Sequence, residues 1–205
     1  MFTGWNVSQG LFASVLLCAL ALGCSSKEES LARFEKVAPF QLTERSGAVA
    51  DAQELEGKIW VAQFFFSSCA AECRQITGRM QTLQKGLAAR DDVRLVSFSV
   101  DPVTDTPEYL RYYAGKFKAD PERWWFVTGD KGALYDVIRE SFLLPAAENE
   151  DERAALGAAY IHSEKLALVD KQGFVRAYFD GLDPKTPERV LEAIDRLDSE
   201  VLASN

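Results

Sequence analysis

The sequence predicts an α/β fold in which a central mixed sheet is flanked by helices and closed by a β-hairpin and a C-terminal helix. Short apolar runs of strand length alternate along the chain with longer segments whose apolar residues recur at helical spacing. Near the C-terminus, two further strand-like runs flank Asp170–Gly173, a turn sequence typical of a hairpin. Strands that alternate with helices predict a layered sheet covered by helices.

The first half of the domain has the clearest patterns. Phe40–Thr43 alternates as a short strand does, and Ile59–Phe66 is a continuous apolar run, as expected for a strand buried on both faces. Apolar residues recur at helical spacing over Ala70–Ala89, and Val93–Val100 predicts the next strand. Thr106–Glu108 predicts the start of a second helix, with Thr as the N-cap and Pro at the first helical position.

The second half continues the alternation and then closes it. Trp124–Val127 predicts a strand, and apolar residues within 134–138 predict a helix. Residues 145–157 form a predicted loop rich in acidic side chains, and the hairpin follows between Lys165 and Phe179. Thr186–Glu188 repeats the capping signal and predicts the final helix. This order of elements is typical of a thioredoxin-like sheet.

The N-terminus predicts export. The chain has no charged residue before Lys27, and Leu11–Leu22 is an apolar run that suits a signal peptide but is shorter than the roughly 20 residues of a membrane span. Ala21–Cys24 resembles a bacterial lipobox, which predicts cleavage before Cys24 and attachment of lipid to that cysteine. An uncleaved anchor helix is the alternative, and both interpretations export the rest of the chain.

These features divide the chain into three parts. We expect a signal peptide of the lipoprotein type at 1–23, a charged tether at 24–37 and one thioredoxin-like domain at 38–205, which would face the periplasm or the extracellular side. The formal net charge of −8 lies wholly in the exported part. It argues against a nucleic-acid partner and is compatible with a cationic metal or a basic protein.

Export leaves two cysteines in the folded domain, because Cys18 would be removed and Cys24 would carry lipid. Cys69 directly follows a predicted central strand, and Cys73 falls in the first turn of a predicted helix, at the sheet edge where α/β folds place their sites. Two cysteines at i and i+4 suit a structural disulfide, a redox couple or a metal site. The helix N-terminus and the neighbouring Arg74 predict a lowered pKa for these thiols.

His162 is the single histidine of the chain and precedes the strand predicted at Lys165–Val169. In a thioredoxin-like topology this loop approaches the cysteine turn. Thiolates and imidazole are the ligands that copper prefers, and two thiolates need a third ligand to hold Cu(II). We therefore expect His162 to face Cys69 and Cys73; an ordinary surface or core histidine is the alternative.

Three blocks carry a resemblance to a known family. Lys58–Cys73, Ser99–Glu108 and His162–Gly173 resemble, in this order, the motifs of the Sco/SenC family of exported thioredoxin-like copper proteins. The resemblance covers roughly 38–200. It implies one copper ion, Cu(I) or Cu(II), bound by the two cysteines and the histidine. It also implies copper delivery to the dinuclear copper site of cytochrome c oxidase during assembly. The implied partners are the copper-receiving subunit of that oxidase or another copper chaperone, and the membrane through the N-terminal lipid.

The chain departs from the family pattern beside both cysteines. Ala70 and Arg74 stand where the family usually has proline, and a fixed cation at Arg74 would disfavour Cu(II) and favour thiol chemistry. A thiol-disulfide oxidoreductase that reduces the cysteines of the acceptor copper site is therefore the alternative function, and a redox or copper sensor is a third. Asp101 and Asp105 predict turn and helix-capping contacts or, alternatively, a carboxylate beside the ligands or facing the partner.

Overall fold

The computed structural model describes residues 30–69, 71–142 and 164–203, and within them seven strands and four α-helices form a mixed α/β domain. The strands are β1 (Gln41–Glu44), β2 (Val49–Asp51), β3 (Ile59–Phe65), β4 (Val93–Ser99), β5 (Trp124–Thr128), β6 (Lys165–Val169) and β7 (Val175–Asp180). The helices are α1 (Glu72–Gly86), α2 (Pro107–Lys116), α3 (Lys131–Phe142) and α4 (Thr186–Ala203). A 3-10 helix, Ala52–Leu55, follows β2.

One sheet contains all seven strands, in the order β2-β1-β5-β4-β3-β6-β7. The three central strands are parallel, because helices α1 and α2 return the chain to the same edge before β4 and β5. Strand β6 runs antiparallel to β3, and β7 antiparallel to β6. The predicted mixed sheet with a closing hairpin and a C-terminal helix is confirmed.

The central strand β3 separates two apolar cores. All seven of its residues are buried, and they alternate between the two faces of the sheet. Val61 and Phe65 pack on the side covered by α1, α2 and α4, and Trp60 and Phe64 pack on the side covered by α3. A strand buried on both faces positions the loop that follows it with little freedom.

Short elements near the start of the domain differ from the prediction. Between the strands predicted at Phe40–Thr43 and Ile59–Phe66, the sequence indicates no further element, whereas β2 and the 3-10 helix form there. Strand β2 has three residues and owes its conformation to pairing with β1. A pattern of three residues is too short for hydrophobic periodicity to reveal.

The two capping signals behave differently. The Thr106 side chain accepts a hydrogen bond from the Tyr109 amide at 3.3 Å, so the predicted N-cap of α2 is confirmed. Thr186 is the first residue of α4 rather than its N-cap, and its hydroxyl donates to the Asp180 carbonyl and so joins α4 to the end of β7. The predicted acidic loop at 145–157 lies outside the described residues.

Part of the segment predicted as a tether lies along the edge strand β7. The Phe34 amide donates to the Val175 carbonyl at 2.8 Å, and the Val37 amide donates to the Gly173 carbonyl at 2.9 Å. Backbone pairing therefore anchors the chain to the domain over residues 34–37. In the three described ranges, no helix combines the length and the apolar character that crossing a membrane requires.

Candidate metal centre

Cys69 lies in the loop that follows β3, and Cys73 lies in the first turn of α1. The Cys73 amide donates to the Cys69 sulfur at 3.5 Å, and the Cys69 amide donates to the Phe66 carbonyl at 3.2 Å. Both thiols are free, and their proximity suits either a disulfide or two ligands on one ion.

The two thiols differ in exposure and in acidity. Cys69 is half-buried, whereas Cys73 is only 1 % exposed. The pKa of the Cys73 thiol is raised to about 12, mainly by burial, since the charged form loses its hydration; the Cys69 sulfur and the Glu72 carboxylate contribute in the same direction. Cys73 is therefore a thiol at neutral pH, and ligation or disulfide formation has to remove its proton.

The predicted lowering of the cysteine pKa is wrong for Cys73. The helix N-terminus and Arg74 were expected to stabilise a thiolate, but the Arg74 side chain is exposed to solvent. Desolvation of the buried sulfur is the larger effect, and the sequence does not reveal it because burial depends on the packing of α1 against the sheet.

Asp105 joins the cysteine loop to the neighbouring strand. Its carboxylate accepts hydrogen bonds from the Ser67 amide at 3.2 and 3.3 Å, from the Ser67 hydroxyl, and from the Ser99 hydroxyl at 2.6 Å. The side chain is fully buried, and burial raises the pKa of this carboxyl while the serine hydrogen bonds oppose the rise. Asp105 therefore holds Ser67, two residues before Cys69.

Asp101 forms the turn that leads to Asp105. Its carbonyl accepts the amides of Thr104 at 3.2 Å and Asp105 at 2.9 Å, and its own amide donates to the Ser99 hydroxyl at 3.1 Å. The predicted turn contacts are thus present at Asp101, whereas Asp105 makes the contact beside the cysteine loop.

His162 lies outside the described residues, as do Ala70 and the predicted lipidation site Cys24. The described chain resumes at Glu164, whose carbonyl accepts the Gly181 amide at 2.6 Å. A Cβ atom at Gly181 would lie 2.7 Å from that carbonyl oxygen and 2.8 Å from Cγ2 of Ile76. Ile76 belongs to α1 and follows Cys73 by three residues, so Glu164 is packed close to the cysteine helix.

Sequence reasoning missed several polar side chains behind the cysteines. The buried side chain of Gln63 forms hydrogen bonds with both Thr77 and Ser97, which are also buried. A signal was available, because Gln63 and Ser97 interrupt strands that are otherwise largely apolar. Within the described ranges, no three His, Cys, Asp or Glu side chains cluster as a metal site.

Known proteins match this chain over a region that contains the same three blocks of sequence. The SCO1/SenC family profile matches residues 28–198, which include both cysteines, both aspartates and His162. The chain belongs to the SCO1/SenC family. A SCO1 protein homolog of Bacillus subtilis is 30% identical over 182 residues, which are 87% of this chain and 90% of the relative.

Solved structures of family members share the fold. A SCO1/SenC family lipoprotein from Bacillus anthracis is 29% identical with a TM-score of 0.73, over 83% of this chain and 99% of that one. BsSco, described as a member of the Sco family of cytochrome c oxidase assembly proteins with a disulfide switch, is 26% identical with a TM-score of 0.69, over 82% and 98%. ScoI of Bradyrhizobium japonicum, solved with copper bound, is 25% identical with a TM-score of 0.62, over 80% and 98%. The thioredoxin-like Sco fold predicted from the sequence is confirmed.

Proposed function

We propose that this protein binds one copper ion through Cys69, Cys73 and His162 and delivers it to the dinuclear copper site of cytochrome c oxidase during assembly. Two free thiols in a single turn carry the proposal. The position of Glu164 supports it, because Glu164 and Ile76 of α1 both lie beside Gly181 and His162 precedes Glu164 by two residues. Copper in the related ScoI and oxidase assembly by the related BsSco give further support.

The donor set matches the chemistry of copper. Thiolates favour Cu(I), and an added imidazole is a ligand suited to Cu(II). Copper is the cargo in this proposal, and the half-buried Cys69 is the ligand that an incoming acceptor thiolate can displace first. Because Cys73 holds a proton on its sulfur at neutral pH, copper loading releases that proton and should become tighter as the pH rises.

A titration of the reduced protein with Cu(I) and Cu(II), followed by thiolate-to-copper charge-transfer absorption, tests the proposal. We expect one copper per chain, and we expect His162→Ala to weaken Cu(II) binding by at least about tenfold while affecting Cu(I) less. Glu164→Gln, two residues away, is the matched control and should bind as the wild type does. A reduced protein that binds no copper would refute the proposal.

We further propose that residues 1–23 are a removable signal peptide and that Cys24 carries lipid, which holds the domain on the exported side of the membrane. The apolar run Leu11–Leu22 and the lipobox-like Ala21–Cys24 support this, as does the description of the Bacillus anthracis relative as a lipoprotein. Cys24→Ser should move the protein from the membrane fraction to the soluble fraction, whereas Cys18→Ser should not. Membrane retention of the Cys24→Ser variant would favour an uncleaved anchor.

The second candidate function is a thiol-disulfide oxidoreductase that reduces the cysteines of the acceptor site. The unequal thiols favour it, since Cys69 is reachable and Cys73 is buried beside it. The Cys69 thiolate would attack the acceptor disulfide and form a mixed disulfide. The Cys73 sulfur would then lose its proton and attack Cys69, which releases the acceptor as a dithiol and leaves a Cys69–Cys73 disulfide.

An oxidised acceptor peptide with two cysteines separates the two functions. Reduction of the peptide by His162→Ala but not by Cys69→Ser would support the oxidoreductase. No reduction of the peptide by the wild type, together with copper binding, would support the chaperone.

A further inference from the structure

A line of polar side chains crosses the apolar core from β5 to the first turn of α1. The Trp124 indole N–H donates to the Ser97 hydroxyl at 2.9 Å, and that hydroxyl donates to the Gln63 carbonyl oxygen at 3.0 Å. The Gln63 amide nitrogen donates to the Thr77 hydroxyl at 2.8 Å. The Thr77 hydroxyl donates to the backbone carbonyl of Cys73 at 2.7 Å. The line therefore ends on the buried cysteine.

The hydrogen bonds of this line run in one direction. The Trp124 indole is only a donor, and a carbonyl such as that of Cys73 is only an acceptor. Thr77 uses its single hydroxyl proton on Cys73, so the Tyr113 hydroxyl, 3.3 Å away, must be a donor to Thr77. Each contact on the line has one consistent assignment, and a connected network of this kind holds its members rigidly.

The burial of these hydrogen-bonded polar side chains in the core indicates a role other than stabilising the fold as a whole. Gln63, Thr77 and Ser97 are each at most 1 % exposed and lie within the core covered by α1, α2 and α4. Polar groups are costly to bury, and apolar residues of similar size would avoid that cost. The hydroxyl of Thr77 therefore links the first turn of α1 to β3 through Gln63.

We propose that Thr77 is a positioning residue that holds the Cys73 turn in its dithiol conformation and thereby sets the balance between the dithiol and the Cys69–Cys73 disulfide. Closing the disulfide requires the two sulfurs to approach bonding distance, so the turn that carries Cys73 has to allow that approach. Thr77 ties the carbonyl of that turn to the sheet through Gln63 and favours the reduced pair. The inference deepens the proposed function, since the reduced pair is the form that would bind copper.

Equilibration with reduced and oxidised glutathione tests the inference. Oxidised glutathione takes two electrons and two protons from Cys69 and Cys73, which yields one protein disulfide and two molecules of reduced glutathione. We expect Thr77→Val to shift the equilibrium constant toward the disulfide by about fivefold, the value of one typical hydrogen bond. Thr77→Ser keeps the hydroxyl and should shift it less than about twofold.

Two further variants distinguish a positioning role of Thr77 from a general effect on the stability of the protein. Val190→Ala makes a cavity in the same core from α4, so it should lower the melting temperature and leave the glutathione equilibrium constant unchanged. Tyr113→Phe removes one donor to Thr77 and should shift the constant in the same direction by a smaller factor; it also serves if Thr77→Val does not fold. An unchanged constant in the folded variants of Thr77 and Tyr113, or an equal shift in Val190→Ala, would overturn the inference.

The outcome is separate from that of the proposed function. A wild type that binds copper while Thr77→Val leaves the glutathione constant unchanged would refute only the positioning role. A wild type that binds no copper while Thr77→Val shifts the constant would refute only the copper proposal.

Discussion

Acidic side chains are held in different ways at the two ends of the central strands. At the amino-terminal end of β3 and β4, Arg90 contacts Asp92 at 2.9 Å and Asp198 at 2.7 Å, and Lys171 contacts Asp92 at 3.1 Å. These cations hold the pKa of Asp92 well below its usual range, with the Arg90 hydrogen bond as the largest cause. We call this group the ion-pair end.

At the carboxyl-terminal end, which we call the cysteine end, hydroxyl and amide groups hold Asp105, and burial raises its pKa. Burial also raises the pKa of Cys73 to about 12. The ion-pair end keeps Asp92 charged and joins the start of β4, the turn between β6 and β7, and α4. The cysteine end instead disfavours charge on its buried acid and thiol, so its state responds to a metal, an oxidant or a proton.

Removal of the Asp105 carboxylate should have the largest effect. Asp105→Ala leaves the Ser67 amide, the half-buried Ser67 hydroxyl and the buried Ser99 hydroxyl without their acceptor, which should lower the free energy of unfolding by about 3 kcal/mol. Asp105→Asn retains one acceptor oxygen and should cost about 1 kcal/mol or less. Urea denaturation measures both, and equal losses would show that Asp105 does not hold the cysteine loop.

A methyl group at Gly181 should press on both Glu164 and Ile76 of α1, which lie beside this glycine. Gly181→Ala puts a Cβ 2.7 Å from the Glu164 carbonyl oxygen, so we expect a loss of about 1–3 kcal/mol from overpacking and weaker Cu(II) binding. Gly115→Ala is the control, because its Cβ meets open space on α2 and should stabilise the helix slightly. Unchanged Cu(II) affinity in Gly181→Ala would show that this contact does not affect the copper site.

The thiols of the cysteine end should react at different rates. Cys69 is half-buried and Cys73 is buried with a raised pKa, so iodoacetamide at pH 8 should modify Cys69 at least about tenfold faster in the reduced protein. Peptide mass spectrometry after short labelling measures the ratio. Equal labelling would contradict the asymmetry between the two cysteines.

Stability should depend on pH with opposite signs at the two ends, and these effects should be the smallest. The lowered pKa of Asp92 contributes stability above its unfolded value near pH 4, which is lost as the pH falls through the folded value. The raised pKa of Asp105 contributes stability below about pH 4, which is lost as the pH rises through its folded value.

Replacing each acid by its amide should therefore remove one of the two slopes. Asp92→Asn should flatten the decline in the free energy of unfolding below about pH 4, and Asp105→Asn should flatten the decline above it. Denaturation at a series of pH values measures both slopes. The same slope change in both variants would contradict the contrast between the two ends.

The helices and strands that the sequence predicts correctly are those that depend on local patterns of residues. Strand β3 and the start of α2 depend on apolar runs and on the cap at Thr106, and both are found as expected. The contacts of Gln63 with Thr77 and Ser97 join residues 14 and 34 positions apart, so they depend on tertiary packing. The raised pKa of Cys73 was not predicted for the same reason. Burial of its sulfur depends on tertiary packing, and it outweighs the effect of the helix terminus beside it.

X-ray absorption spectroscopy of the copper-loaded protein tests the central claim most directly, because it reports the atoms bound to the metal. We predict two sulfur ligands and one imidazole for Cu(II), with loss of the imidazole in His162→Ala and of one sulfur in Cys73→Ser. Copper bound only by oxygen and nitrogen, or two sulfurs retained in Cys73→Ser, would contradict the assignment of Cys69, Cys73 and His162 as the copper ligands.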